Sequence, residues 1–145
     1  MPGPVRSGQR ARSPLSGESL TFRRTSSETG GELIELELEL RPLGAPAGLP
    51  HRHLVAEQFE LVGGKLLVWI QARRPWIAYP GDVIEVPPAR WHFILALQRS
   101  KANVTVRPGV QFDELLVRWA ALGSGDIKPE HLRRIVSLLR LHGCI

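Results

Sequence analysis

Three histidines and a glutamate are the residues in this chain best suited to chemistry. The stretch LPHRHLVAEQFELVGG, residues 49–64, holds His51 and His53 two apart, with Glu57 four positions after the second. On an extended strand, residues two apart point to the same side, ~6.5–7 Å apart along the chain. His51, His53 and Glu57 share this parity with Val55, Phe59 and Leu61, whereas Arg52, Gln58 and Glu60 take the other side. The apolar neighbours make the first face the interior one. Two imidazoles and a carboxylate would then lie inside, where a carboxylate without partners is strongly disfavoured. A divalent metal is the natural partner: imidazole nitrogen suits Zn, Cu, Fe and Ni, and a carboxylate oxygen also suits Mn. His92 follows a turn in GDVIEVPPARWHF and opens an apolar run, which makes it the candidate fourth ligand, from a facing strand. His131 and His142 lie in a C-terminal helical region and are expected at the surface.

The elements that must position these residues are mostly strands. In ELIELELEL, residues 32–40, Ile34, Leu36, Leu38 and Leu40 share one face and Glu35, Glu37 and Glu39 the other. This period of two predicts a strand buried on one side. Further strands are expected at SLTFRR, at two runs within residues 51–70 broken by Gly63-Gly64, and at residues 76–79, DVIEV, HFILAL and VTVRP. Short strands at roughly 8–12 residue spacing mark a sandwich or barrel. After Pro108-Gly109 the period changes. FDELLVRWAALG places Leu115, Leu116, Trp119 and Leu122 on one helical face and stops at Gly123. PEHLRRIVSLLRLHG does the same with Leu132, Ile135, Val136 and Leu139, with Pro129 in its first turn. The two helices are expected to pack on the outer surface of the barrel or to pair two subunits.

At 145 residues, 43% hydrophobic and 23% charged, the chain suits one soluble domain with its own core. No apolar run approaches the ~20 residues that span a bilayer. Residues 1–18 are rich in Pro, Gly, Ser and Arg and read as a disordered basic tail, with an organelle transit peptide as the weaker alternative. The net charge of +5 comes largely from this tail and the last helix, and no nucleic-acid-binding motif accompanies it. The single cysteine, Cys144, allows no intrachain disulfide, which fits a cytoplasmic location. It stands in no catalytic motif.

Taken together, HRHLVAEQFELVGG and GDVIEVPPARWH resemble the two signature motifs of the cupin superfamily. His51, His53, Glu57 and Gly64 match the first motif, and Gly81, Pro87 and His92 the second. Ala89 stands where a second glycine is usual, suggesting a slightly different turn, and Ala96 where an asparagine is usual. The resemblance covers about residues 19–112. It implies an all-β fold, a double-stranded β-helix (jelly-roll) barrel over residues 19–112; the helical period read above makes residues 113–145 a C-terminal helical extension. It also implies an interior divalent metal held by His51, His53, Glu57 and His92 with coordination positions left open, and a homodimer. Fe(II) leads as the metal, with Mn, Ni and Zn behind it. The expected activity is a metal-dependent oxygenase acting on a small organic molecule, with Glu57 as an alternative proton acceptor. The other readings are a non-catalytic module that binds a sugar or metabolite, and a cupin isomerase. Arg90 is a candidate for meeting an anionic substrate, and Trp69, Trp76, Trp91 and Phe93 for lining a pocket, although surface exposure and core packing explain them more simply. A further ionisable residue facing the cavity, with Asp82 and Glu85 as candidates, would point to an enzyme.

Overall fold

The computed structural model describes residues 4–14, 16–44, 48–122 and 128–145. The glutamate–leucine alternation forms its strand as expected. β3 (Ile34–Leu40) buries Ile34, Leu36, Leu38 and Leu40 and turns its glutamates outward. Glu37 pairs there with Arg23 and, at 2.7 Å, with Lys101, which holds its carboxyl below the usual range. β3 lies between β2 (Ser19–Arg24) and β9 (Ser100–Arg107). β4 (Ala56–Gly63) continues the sheet beyond β9, and β7 (Val83–Val86) closes its far side. A second sheet is built from β5 (Leu66–Ile70), flanked by β6 (Trp76–Ala78) and β8 (His92–Ala96). All pairings are antiparallel. Alternate residues of both sheets meet in one core, among them Phe22, Leu61, Leu66, Val68, Ile84 and Val106.

Two turns show where backbone geometry dictates residue type. Gly64, between β4 and β5, has φ +96°, and a Cβ there would lie 2.2 Å from Ser100 Oγ and 2.5 Å from Ser100 Cα. Only glycine fits such an approach. Ala89, in the turn before β8, holds φ +61°. It therefore keeps the left-handed conformation despite its Cβ, and its N–H donates to His53 O at 2.7 Å.

The N-terminal segment is more ordered than its composition suggests. β1 (Arg10–Arg12) pairs with β2, flanked by hydrogen bonds from Gly8 N to Phe22 O (2.7 Å) and from Phe22 N to Gln9 O (2.9 Å). Val5 reaches the core. The open edge of β2 presents backbone groups that any extended segment can satisfy, polar side chains included. That is why a basic, apparently structureless stretch is held there.

The chain ends in α1 (Phe112–Ala120) and α2 (Pro129–Leu141). The expected stop at Gly123 lies outside the described residues. The predicted face of α2 holds in part: Ile135 is buried and Leu139 packs against the core, whereas Leu132 and Val136 are exposed and Leu138 is buried instead. His142, expected at the surface, continues the inward row and is buried. The spacing 135, 138, 142 is itself a helical stripe. Glu114 of α1 bridges to α2. Its carboxylate receives Arg134 Nε and Nη2, both at 2.7 Å, and Arg118 Nε at 2.7 Å. The helices reach the barrel's cavity. Phe112, Leu115, Trp119 and Leu139 line the same cavity as the barrel residues Leu36, Phe59 and Val104. Among the described residues, no helix is long and apolar enough to cross a membrane.

Two stability predictions follow from these contacts. The hydrogen bonds from Arg134, then those from Arg118, lower the Glu114 pKa from 4.5 to about 2. A depressed carboxylate stabilises the fold above its unfolded value and loses that contribution as pH falls from about 4.5 towards about 2. Glu114→Gln is expected to lower the melting temperature by a few degrees at pH 7, for a loss of about 1 kcal/mol, and to flatten the acid limb of stability against pH. An unchanged acid limb in thermal melts would show that the fork does not hold α2. Ala89→Gly removes a left-handed Cβ and is expected to stabilise by about 0.5–1 kcal/mol in denaturant titration, after the greater freedom of glycine in the unfolded chain is counted.

Candidate metal centre

The site begins with a two-residue ladder. His51 N donates to His92 O and His92 N donates to His51 O, both at 2.9 Å. This reciprocal pair is an isolated antiparallel bridge that joins the approach to β4 to the first residue of β8. Directly opposed residues of an antiparallel pair project to one face, so the bridge sets the two imidazoles side by side, with ring centroids 4.3 Å apart. His53 completes the group at 4.8 Å from the His92 ring and 5.8 Å from the His51 ring.

Each ring is held by its own backbone neighbourhood. His51 Nδ1 donates to Leu49 O at 2.7 Å, His53 Nδ1 to Val55 O at 2.9 Å, and His92 Nδ1 to Arg90 O at 2.8 Å. In all three cases the acceptor lies two residues away in the chain. With Nδ1 protonated and engaged, Nε2 is the atom left for other work. One ligand-capable atom from each of the three rings falls within 4.8 Å of the others. Glu57 Oε1 sits 2.9 Å from His53 Nε2 and 3.5 Å from His92 Nε2. His92 is 1% exposed, and its Nε2 has no hydrogen-bond partner.

The electrostatics follow from this crowding. Burial pushes the Glu57 carboxyl up, but the charge of His53 and its hydrogen bond outweigh it and hold the group well below the usual carboxylate range. Burial pulls the His53 imidazole down, but the adjoining carboxylate of Glu57 more than offsets this and raises it. His51 has no such partner; burial, then the neighbouring His92, lowers its pKa. A buried imidazole nitrogen with no partner, two more Nε2 atoms beside it and a carboxylate within reach form a donor set that fits a divalent transition metal. The same Nδ1–H···O=C hydrogen bonds are what orient metal-bound imidazoles.

The four residues singled out in the sequence therefore meet, although not along one regular strand. β4 begins only at Ala56, and residues 52–55 are irregular. The in–out alternation survives: Val55, Phe59 and Leu61 are buried, and Arg52, Gln58 and Glu60 are exposed. Asp82 and Glu85 do not reach the cavity. Asp82 accepts from Tyr79 N at 2.8 Å, and Glu85 is exposed. Arg90 donates to Gln71 O at 3.3 Å and is likewise absent from the cavity wall. Of the four aromatic candidates only Trp91 lines it. Trp69 and Phe93 face each other across β5 and β8, and Trp76 lies under Arg73.

The cavity itself measures about 350 Å³. Its wall combines the imidazoles and Glu57 with strand residues such as Leu36, Phe59, Ile94 and Val104, and with Leu115, Trp119 and Cys144 from the helical region. Ser13, Glu18 and Arg52 supply its other polar side chains. Sequence reading did not anticipate Phe112, whose ring lies between those of His53 (5.3 Å) and His142 (5.0 Å). It also missed the hydrogen bond from Leu54 N to His142 O at 2.6 Å, which ties the histidine-bearing segment to the end of α2. The 135, 138, 142 spacing was the signal available for His142.

No protein-family model and no curated protein sequence matches the chain. Solved structures do. An RmlC-like cupin from Shewanella frigidimarina aligns over 74% of this chain and 92% of its own, with 16% identity and a TM-score of 0.59. KdgF from Halomonas sp. aligns over 72% and 93%, with 17% identity and a TM-score of 0.58. Oxalate decarboxylase of Bacillus subtilis, a protein with Mn(II) centres, aligns over 70% of this chain and 28% of its own, with 20% identity and a TM-score of 0.56. The two-sheet architecture and these neighbours together establish that the chain has the jelly-roll fold of the cupins.

Proposed function

We propose that this protein is a metal-dependent cupin that holds one divalent metal through His51, His53, Glu57 and His92 and takes a small organic molecule into the barrel, acting on it as an oxygenase. The observation that carries this reading is the convergence of three imidazoles whose Nδ1 atoms are already engaged, around a buried Nε2 that has no partner. A bound metal would supply Lewis acidity and, as iron, redox chemistry. Fe(II) remains the leading choice, and the likeness to a protein with Mn(II) centres brings Mn close behind; Ni and Zn suit the same donors. The chain's own part is positioning. The three backbone-tethered rings hold the donor atoms, and the apolar wall limits the water that reaches a bound molecule. Glu57, turned off the metal, is the alternative proton acceptor.

A second reading, a non-catalytic binding module, draws support from Asp82 and Glu85. Both turn away from the cavity and leave Glu57 as the carboxylate beside the imidazoles. Glu18, on the cavity wall, is the second ionisable group that an enzyme, a cupin isomerase included, could use. Oxygen consumption measured with catechols, diketones and flavonols separates the first two readings. Turnover on any of them supports the oxygenase, and metal-loaded protein that binds such molecules without consuming oxygen supports the module. We place the protein in the cytoplasm, as a homodimer.

The metal assignment predicts about one equivalent of transition metal per chain in protein purified without chelator, measured by mass spectrometry of the elements. His51→Ala and His92→Ala are each expected to weaken binding by at least about tenfold. Retention of the parental metal content by both variants would overturn it. In the metal-free protein His53 Nε2 carries a proton shared with Glu57, and a metal must displace it. Metal uptake is therefore expected to release about one proton near neutral pH and to weaken as pH falls. Calorimetry in two buffers of different ionisation enthalpy reads this directly; identical heats in both would contradict it.

A further inference from the structure

Beyond the metal and its chemistry, the cavity carries information about the shape and charge of its occupant. We propose that the ligand is an organic acid, with an apolar body that fills the barrel and a carboxylate read by Arg52 at the rim. This rests on the reading of the cavity as a ligand chamber. The body of the ligand follows from the wall, where strand and helix side chains such as Leu38, Phe59, Val104, Leu115 and Trp119 offer no hydrogen bonds apart from the tryptophan N–H. The charge follows from Arg52. It stands between His51 and His53, and the alternation that turns both histidines inward turns Arg52 to the exposed side of the segment while it still lines the cavity.

Its guanidinium lies over the Trp91 ring, 5.2 Å from the centroid, and Trp91 also lines the cavity. A guanidinium over an aromatic face is favoured there and keeps N–H donors available for a carboxylate. Among the described residues Arg52 has no carboxylate within ion-pair distance. Every other arginine–carboxylate pair described here lies away from this cavity. Glu18, from the turn leading into β2, is the carboxylate on the cavity wall besides Glu57. Its charge opposes that of the ligand, which gives the proposal two variants of opposite sign.

The test uses the metal-loaded full chain and the quenching of tryptophan fluorescence, since Trp91 and Trp119 both line the cavity. The probes are phenylalkanoic and medium-chain alkanoic acids, each beside its uncharged primary amide. The acids are expected to bind about five- to tenfold more tightly than the amides, the range of one partly exposed charge-assisted pair. Arg52→Met, which keeps the aliphatic stem against Trp91, should abolish this preference with amide affinity unchanged. Glu18→Gln should increase it. Metal content measured on the same samples keeps the two readings separate. A lost metal with an intact acid preference defeats the proposed function alone, whereas an intact metal with equal binding of acid and amide defeats this proposal alone. It is also overturned if Arg52→Met retains the preference, or if no acid binds saturably at millimolar concentration.

Discussion

The reciprocal backbone bridge between His51 and His92 is the constraint on which the site depends. These residues are 41 positions apart in sequence and belong to different sheets, His92 through β8 and His51 through the lead into β4. Two hydrogen bonds set them opposite each other and thereby decide where two imidazoles stand. The rest acts on that anchor. Ala89 N ties the turn before β8 to His53 O, and Leu54 N ties the other side of His53 to His142 at the end of α2. Each ligand-bearing backbone segment is thus held from both sides before any side chain acts.

On this scaffold the imidazoles need little further organisation. Each orients through a carbonyl two residues away in its own chain segment, so ring direction is a local property once the backbone is placed. The cost lies at the centre. A buried Nε2 without a partner and a carboxylate desolvated among imidazoles are unfavourable in isolation. The His53–Glu57 pair compensates in part and leaves His92 unsatisfied. A metal bound at the cluster would relieve both costs.

Much of this was legible in the sequence, for identifiable reasons. The Glu–Leu alternation of residues 34–40 and the shared parity of His51, His53 and Glu57 are patterns of period two, and burial follows them even across the irregular residues 52–55. What escaped the reading depended on tertiary context. β1 is a polar segment recruited by the open edge of β2, and no hydrophobic pattern announces it. The burial of Leu138 and His142 in place of Leu132 and Val136 depends on how α2 meets α1 and the barrel, a contact between elements that neither helix reveals alone. For the same reason the sequence does not show that the helices line the cavity. Arg90 donates to Gln71 O and is absent from the cavity wall, which Arg52 lines instead.

The central claim is that three histidine Nε2 atoms and one carboxylate form a single metal centre. X-ray absorption spectroscopy of the zinc-loaded protein tests it most directly. The account predicts a shell of nitrogen and oxygen at about 2.0–2.2 Å with the multiple scattering of about three imidazoles. A sulfur shell at about 2.3 Å, which would place Cys144 on the metal, or the absence of imidazole scattering would contradict it.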